Sequence, residues 1–199
     1  MNTGGTTDQG EFTVTLTQAF HSSVEVDANG VFHCLGLPNG IVVTPKDKHE
    51  PTIYHMGDTD IFSDMALIDE LYAPTVALVP VGDRFTMGPR AAALSVKRYL
   101  RNVTTAIPCH YATFGMLLPD AKGFEAEMVG AKAKVLVLAD GTIIKGMAAS
   151  MQVTSMPLIF SMRCPVGNNC PVTAPQASKK LSSTGAAVPT TPSMRAEPS

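Results

Sequence analysis

Three short segments of the chain carry side chains that could bind a metal ion. They hold His21, Asp58 and His110, and each follows a stretch whose pattern is typical of a β-strand. Imidazole nitrogen and carboxylate oxygen are ligands of zinc and similar divalent ions, and a catalytic zinc site commonly has three protein ligands and one open position. A carboxylate can also bridge two cations and hold a hydroxide between them. The residue types therefore favour a divalent-metal site at strand ends.

Each of these residues also has a commonplace structural explanation. On spacing alone, His21 is better explained as a capped or solvent-facing loop histidine. Asp58 is also explained as an Asx turn or a helix N-cap, and His110 as a core histidine bonded to a carbonyl. Cys109, next to His110, is assigned to packing because neighbouring residues of a strand point to opposite faces. The spacing alone leaves the structural and the metal-binding explanations open.

The first part of the chain is predicted to form an antiparallel meander that leads to His21 and Asp58. Alternation of apolar residues with threonine marks residues 12–17 as a half-buried strand. Further strands are predicted at 30–35, 40–44 and 52–55, with a turn at Asn39-Gly40 and a polar hairpin tip at 45–51.

From residue 63 the pattern changes to alternating helix and strand. Ser63 is the expected N-cap of a helix that runs to Tyr72. Gly88-Pro89 opens a second helix, because proline is favoured in the first helical turn. The other predicted elements are a buried strand at 76–81, a short strand at 105–108 that leads to His110, a helix at 123–130 and a strand at 134–138.

Composition limits the classes of partner and the number of domains. The 199 residues are 45% apolar and 16% charged, which is compatible with one modest domain and a tail. The net charge of −2 gives no electrostatic footprint for nucleic acid or an anionic membrane, and we expect neither as a partner. The expected division is a domain over 1–145 and a low-complexity, disordered extension over 146–199.

The cysteines and the N-terminal residues favour a cytoplasmic protein. Cys34, Cys109, Cys164 and Cys170 form no Cys-x-x-Cys pair. A Cys164–Cys170 disulfide in an oxidising compartment and free thiols both remain open. The first residues lack the apolar core of a signal peptide, and no run approaches the roughly 20 apolar residues of a membrane span.

Six segments, taken together and in order, carry a family resemblance that covers about residues 1–144. The chain resembles the metal-dependent hydrolases of the metallo-β-lactamase superfamily, and most closely the UPF0173 hydrolases. Their order and spacing are similar to the second, C-terminal half of that family. The segments are 1–5, 18–23 with His21, 52–59 with Tyr54-His55-Met56-Gly57-Asp58-Thr59, 61–65, 79–89 with Gly82-Asp83-Arg84, and 107–111 with Pro108-Cys109-His110.

The resemblance implies an α/β fold, the αββα sandwich of the metallo-β-lactamases, with its second half represented. It also implies a hydrolase with two divalent ions, zinc being the expected metal, acting on an ester, lactone, phosphoester or amide of a small molecule. By the same resemblance His21 binds the first ion, Asp58 bridges both ions and is catalytic, and His110 binds the second. His55 and Thr59 would support these ligands, Thr59 by a hydrogen bond to the Asp58 carboxylate. Asp83 and Arg84 would contact the substrate.

One motif of the resembled family is absent from the sequence. The chain has no His-x-His-x-Asp-His, and its five histidines include no pair with His-x-His spacing. We therefore expect the other ligands to come from a companion chain or an unrecorded N-terminal segment, with Met1 an internal methionine of a longer protein. The alternative is a non-catalytic half-domain, an interaction module or an inactive relic, whose incomplete sandwich would favour homo-oligomers.

Overall fold

The computed structural model describes residues 1–139, 143–144 and 151–152. The chain divides into two units, Met1–Cys164 and Pro165–Ser199, and every described residue lies in the first. Within the predicted extension 146–199 only the strand Met151–Gln152, paired with Ile143–Ile144, is described. The remainder of that extension, with Cys164 and Cys170, lies outside the described residues.

A seven-stranded mixed sheet forms the centre of the described part of the chain. The strands of the described residues are β1 Thr6–Asp8, β2 Phe12–Gln18, β3 Val24–Val26, β4 Phe32–Cys34, β5 Asn39–Pro45, β6 Ile53–His55, β7 Val76–Pro80, β8 Thr105–Cys109, β9 Lys134–Val135, β10 Ile143–Ile144 and β11 Met151–Gln152. The strand order of the main sheet is β1-β2-β5-β6-β7-β8-β9. A separate antiparallel hairpin, β3–β4, follows His21 directly in the chain.

Strand direction brings four strand ends to one edge of this sheet. Strands β6, β7, β8 and β9 run parallel to one another. Strand β5 is antiparallel to both β2 and β6, so β2 runs in the same direction as the parallel set. The carboxyl ends of β2, β6, β7 and β8 therefore share an edge, where open α/β sheets place their ligand sites.

Three helices are found among the described residues, and none has the length and hydrophobicity of a membrane span. They are α1 Met65–Tyr72, α2 Pro89–Arg98 and α3 Lys122–Glu127. The prediction of Ser63 as the N-cap of α1 is wrong, because Asp64 occupies that position and the Ser63 hydroxyl donates to the Asp64 carboxylate. The predicted proline at the first turn of α2 is confirmed at Pro89.

The two faces of the sheet carry two separate apolar clusters. The helical residues Met65, Ala92 and Phe124 belong to the larger cluster, together with Tyr54 and Val79 of the sheet. The second cluster consists of the alternate sheet residues Val43, Ile53, Val76, Leu78 and Ile107. Because successive side chains of a strand point to opposite faces, the helices cover one face of the sheet.

The predicted meander is only partly correct. The strand expected at 30–35 exists as β4, but it pairs with β3 outside the main sheet. Asn39-Gly40 is not a turn, because Asn39 pairs with Gln18 and Gly40 with Thr17 inside β5. Strand β1 was not predicted, and β9 is shorter than the expected 134–138. The mixed α/β fold class itself is confirmed.

Candidate metal site

The candidate site lies at the sheet edge where β2, β6, β7 and β8 end. His21, Asp58, Asp83 and His110 each follow the carboxyl end of one of these strands. Gly57 makes the exit from β6 tight, since it has a φ of 71° and a side chain there would meet the Asn39 carbonyl oxygen. These four residues are far apart in the sequence but lie in loops at the same edge of the sheet.

The structure brings Asp58 and His110 into direct contact. Asp58 Oδ2 lies 3.4 Å from His110 Nε2, and both side chains are largely but not fully buried. Two ligand atoms at the bond lengths of a tetrahedral zinc ion lie about 3.3–3.5 Å apart, so this separation equals one edge of such a site. The pair therefore fits as two ligands of one ion.

The two side chains of this pair shift each other's pKa in opposite directions. Burial is the largest influence on Asp58 and raises its pKa, but the interaction with His110 and the charges of His110, His21 and His55 lower it to below the usual value. The interaction with Asp58 raises the pKa of His110 although burial opposes it. The carboxylate is therefore held ionised, as a metal ligand must be.

Strained backbone surrounds His110. Its φ is 57°, and Asp83, Arg84 and Ala112 nearby in the two loops also have positive φ values, of 61°, 47° and 58°. Such conformations in non-glycine residues persist only where the surrounding structure imposes them, and they concentrate at functional sites. The loops are joined by the Leu118 amide donating to the Gly82 carbonyl oxygen at 3.0 Å.

Gly82 is a site residue that sequence reasoning missed. A Cβ at this position would lie 1.9 Å from the His110 carbonyl oxygen and 3.2 Å from His110 Nδ1. That Nδ1 atom is buried and has no hydrogen-bond partner among the described residues. The sequence signal for this residue is the glycine directly before Asp83. That the His110 backbone approaches this glycine closely follows only from the pairing of β7 with β8.

His21 lies near the pair but is not joined to it. Its charge contributes to the lowered pKa of Asp58, which places it in the electrostatic neighbourhood of the carboxylate. Its Nδ1 atom, however, is 2.7 Å from the Ser22 carbonyl oxygen. Among the described residues no group of three or more histidine, cysteine, aspartate or glutamate side chains is arranged to hold a metal ion. The predicted trio is therefore a pair and a neighbouring histidine.

His55 and Thr59 support the loop that carries Asp58 in different ways. His55 Nδ1 accepts a hydrogen bond of 3.0 Å from the Gly57 amide, and burial lowers its pKa to about 4, so its ring is neutral at neutral pH and becomes charged only in the acid range where Asp58 titrates. The Thr59 hydroxyl does not bond to the Asp58 carboxylate as expected. It accepts from the Phe20 amide and donates to the Asp60 carbonyl oxygen.

Asp83 and Arg84 occupy the loop between β7 and α2, as the sequence predicts. The Asp83 carbonyl oxygen accepts from the amides of Phe85 and Thr86. Its carboxylate lies over Gly88, 3.4 Å from where a Cβ would be. Arg84 is exposed. The Asp83 side chain thus lies at the start of α2, and substrate contact by these two residues stays a prediction.

Comparison with known proteins identifies the relatives of this sequence. No family model matches the chain. It is 54% identical over 137 residues to a UPF0173 metal-dependent hydrolase of Azorhizobium caulinodans, covering 69% of this chain and 56% of that protein. It is 53% identical over 144 residues to one of Methylobacterium nodulans, covering 72% and 59% respectively. The chain therefore spans little more than half the length of the curated relatives that it matches.

Solved structures agree with this relationship. A metallo hydrolase of the archaeon Ignicoccus hospitalis is 32% identical with a TM-score of 0.55, covering 69% of this chain and 56% of its own. The isothiocyanate hydrolase from Delia radicum gut bacteria is 22% identical with a TM-score of 0.50, covering 69% and 55%, and shows similarity of fold alone. Both similarities agree with the mixed α/β fold class of this chain.

Proposed function

We propose, on the premise that the curated relatives of this chain are UPF0173 metal-dependent hydrolases, that it forms part of such a hydrolase. In this proposal Asp58 and His110 bind a divalent metal ion, with zinc the candidate metal. The observation that supports the proposal most strongly is the 3.4 Å separation between Asp58 Oδ2 and His110 Nε2 at the carboxyl edge of the sheet. His21 is the third proposed ligand.

The residues of the chain have distinct tasks in this proposal. Asp58 supplies a largely buried, ionised carboxylate that contacts His110 and lies within the influence of the His21 charge. By the family resemblance it would bridge two ions. His110 presents Nε2 to the site, and the space left by Gly82 accommodates its unusual backbone. A bound zinc ion supplies an activated water and an electrophile for a carbonyl or phosphoryl oxygen. The proposed substrate is a small-molecule ester, lactone, phosphoester or amide. Asp83 and Arg84 are the residues proposed to contact it.

The chain alone does not supply all the ligands that a two-ion site needs. A two-ion site needs more ligands than His21, Asp58 and His110, and the sequence contains no His-x-His-x-Asp-His. We propose that a companion chain, or a segment of a longer protein, supplies the remaining metal ligands. The proposed compartment of the protein is the cytoplasm. The matched region is 56% of the length of the first relative and 59% of the second.

A second candidate function is non-catalytic. It is favoured by the finding that no group of three ligand-type side chains among the described residues is arranged to hold a metal ion. In this case the chain is an interaction module or an inactive relic, and as a homo-oligomer it would cover its own apolar surface. The two candidates differ in a measurable property, because only the hydrolase requires that zinc binding depend on Asp58 and His110.

Zinc titration against a competing chromophoric chelator tests the proposal. Asp58→Ala and His110→Ala should each weaken zinc binding by more than about tenfold, because even the loss of a group that only supports a ligand costs that much. The chain offers a matched control in Asp27 and His33, an exposed carboxylate–imidazole pair at 3.0 Å. Asp27→Ala and His33→Ala should leave affinity unchanged. Equal losses in both pairs, or none at Asp58 and His110, would contradict the proposal.

A further inference from the structure

A fully buried hydroxyl joins two of the loops that form the candidate site. Thr59 is 0% exposed, although threonine is a residue that usually lies at the surface. Its Oγ1 accepts a hydrogen bond of 2.9 Å from the Phe20 amide and donates one of 2.8 Å to the Asp60 carbonyl oxygen. A hydroxyl has one donor and two acceptor positions, so this group is used in both senses.

The same two segments are joined by two further contacts. The Asp60 amide donates to the Phe20 carbonyl oxygen at 3.1 Å, so both backbone groups of Phe20 are bound by the 59–60 segment. The ring of Phe20 packs against Phe62 with 5.2 Å between centroids. Phe20 directly precedes His21, and Thr59 directly follows Asp58. The contacts therefore connect the residues adjacent to two proposed ligands.

We propose that Thr59 is a positioning residue that fixes the His21 segment against the Asp58 loop, so that both ligands belong to one site. Because β2 and β6 are separated in the sheet by β5, the ladder alone does not join their ends. The Thr59 hydroxyl supplies that connection across 39 residues of sequence. The expected effect of Thr59 on metal binding rests on the proposed metal site. The contact between the His21 segment and the Asp58 loop can be measured without any metal.

The chain offers variants that separate the hydroxyl from the shape of the side chain. Thr59→Val keeps the shape and removes both hydrogen bonds, leaving the Phe20 amide without a partner. Thr59→Ser keeps the hydroxyl. The matched control is Thr75→Val, since Thr75 Oγ1 is buried without a partner among the described residues. Amide hydrogen exchange by NMR reports on the Phe20 amide, with the amide of Val79 in β7 as a reference for global unfolding.

We expect Thr59→Val to speed exchange at Phe20 by about tenfold more than at Val79. Zinc affinity by chelator competition should fall by about 10–100-fold, the usual cost of losing a group that orients a ligand. Thr59→Ser should restore both, and Thr75→Val should change neither.

Several results would overturn the inference. They are unchanged exchange at Phe20 in Thr59→Val, loss of protection at Phe20 and Val79 alike, and faster exchange at Phe20 with undiminished zinc affinity. A wild-type chain that binds no zinc would refute the proposed metal site instead. In that case exchange at Phe20, with its recovery in Thr59→Ser, still decides whether Thr59 holds the two segments together.

Discussion

The backbone of His110 is possible only because its neighbour across the strands has no side chain. The His110 carbonyl oxygen lies only 1.9 Å from the position that a Cβ of residue 82 would take. With φ at 57°, His110 itself adopts a conformation that is uncommon in residues with a side chain. The ring reaches Asp58 from this position, so Gly82 and Asp58 both constrain His110.

Replacement of Gly82 by alanine should displace His110 and destabilise the fold. Overpacking of a closely packed position costs about 1–3 kcal/mol, and the backbone oxygen here cannot rotate away as a flexible side chain would. Thermal unfolding should show the loss. Gly115→Ala is the matched control, since a Cβ at Gly115 has nothing within 4 Å. Equal melting temperatures for the two variants would contradict the account of Gly82.

The contact between Asp58 and His110 was not predictable as a contact. The sequence predicts both residues as strand-end ligands, and the parallel pairing of β6, β7 and β8 brings those ends together. The orientation of His21 toward the Ser22 carbonyl oxygen and the bonding of Thr59 to Phe20 carry no sequence signal. Both depend on side-chain torsions that only the assembled loops determine.

Secondary elements with strong periodicity were predicted well. The alternating β2 and the continuously apolar β7 follow directly from their patterns. The hairpin β3–β4 lies outside the main sheet, and an apolar alternation does not specify which sheet a strand joins. The predicted turn at Asn39-Gly40 is wrong for a related reason, since strand pairing with β2 overrides the turn propensity of this dipeptide.

The end of α1 is attached to the segment after α2 by one buried carboxylate. Asp69 is 6% exposed and accepts hydrogen bonds from the Asn102 backbone amide at 3.1 Å and from its side-chain amide at 3.0 Å. Both contacts are hydrogen bonds to a charged group, and the removal of the Asp69 side chain breaks both of them. This connection lies on the helical layer, at the ends of α1 and α2 that lead into β7 and β8.

Asp69→Ala should therefore lower the free energy of unfolding by about 1–3 kcal/mol. Urea unfolding measures the change. Glu70→Ala is the comparison, because Glu70 is the next residue of the same helix and is exposed, and exposed substitutions usually change stability by less than about 0.5 kcal/mol. A loss in Glu70→Ala as large as in Asp69→Ala would show that the buried carboxylate is not the cause.

At the scale of the whole molecule, the hairpin β3–β4 groups several exposed apolar side chains of the described residues. Val24 is paired with Cys34 and Val26 with Phe32, so these four side chains share one face of the hairpin. Val24, Val26 and Phe32 are 50%, 52% and 74% exposed. A two-stranded hairpin alone is marginally stable in water, and contiguous apolar surface of this kind favours association.

A hydrophobic dye should report on this hairpin. The variant Val26→Thr/Phe32→Thr should reduce the fluorescence of bound anilinonaphthalene sulfonate to well below that of the wild type, because two of the exposed apolar groups are lost. Val129→Thr is the control, since Val129 is 79% exposed but lies beyond α3. Dye binding that falls equally in the control, or not at all in the double variant, would show that the hairpin is not the dye-binding surface.

The position of a bound metal ion tests the central claim most directly. Crystals of the chain grown with zinc, measured above and below the zinc absorption edge, locate the ion by its anomalous scattering. We predict a peak within bonding distance, about 2.0–2.2 Å, of both Asp58 Oδ2 and His110 Nε2. A peak at the exposed Asp27–His33 pair instead, or no peak between Asp58 and His110 in zinc-saturated crystals, would contradict the assignment of this sheet edge as a metal site.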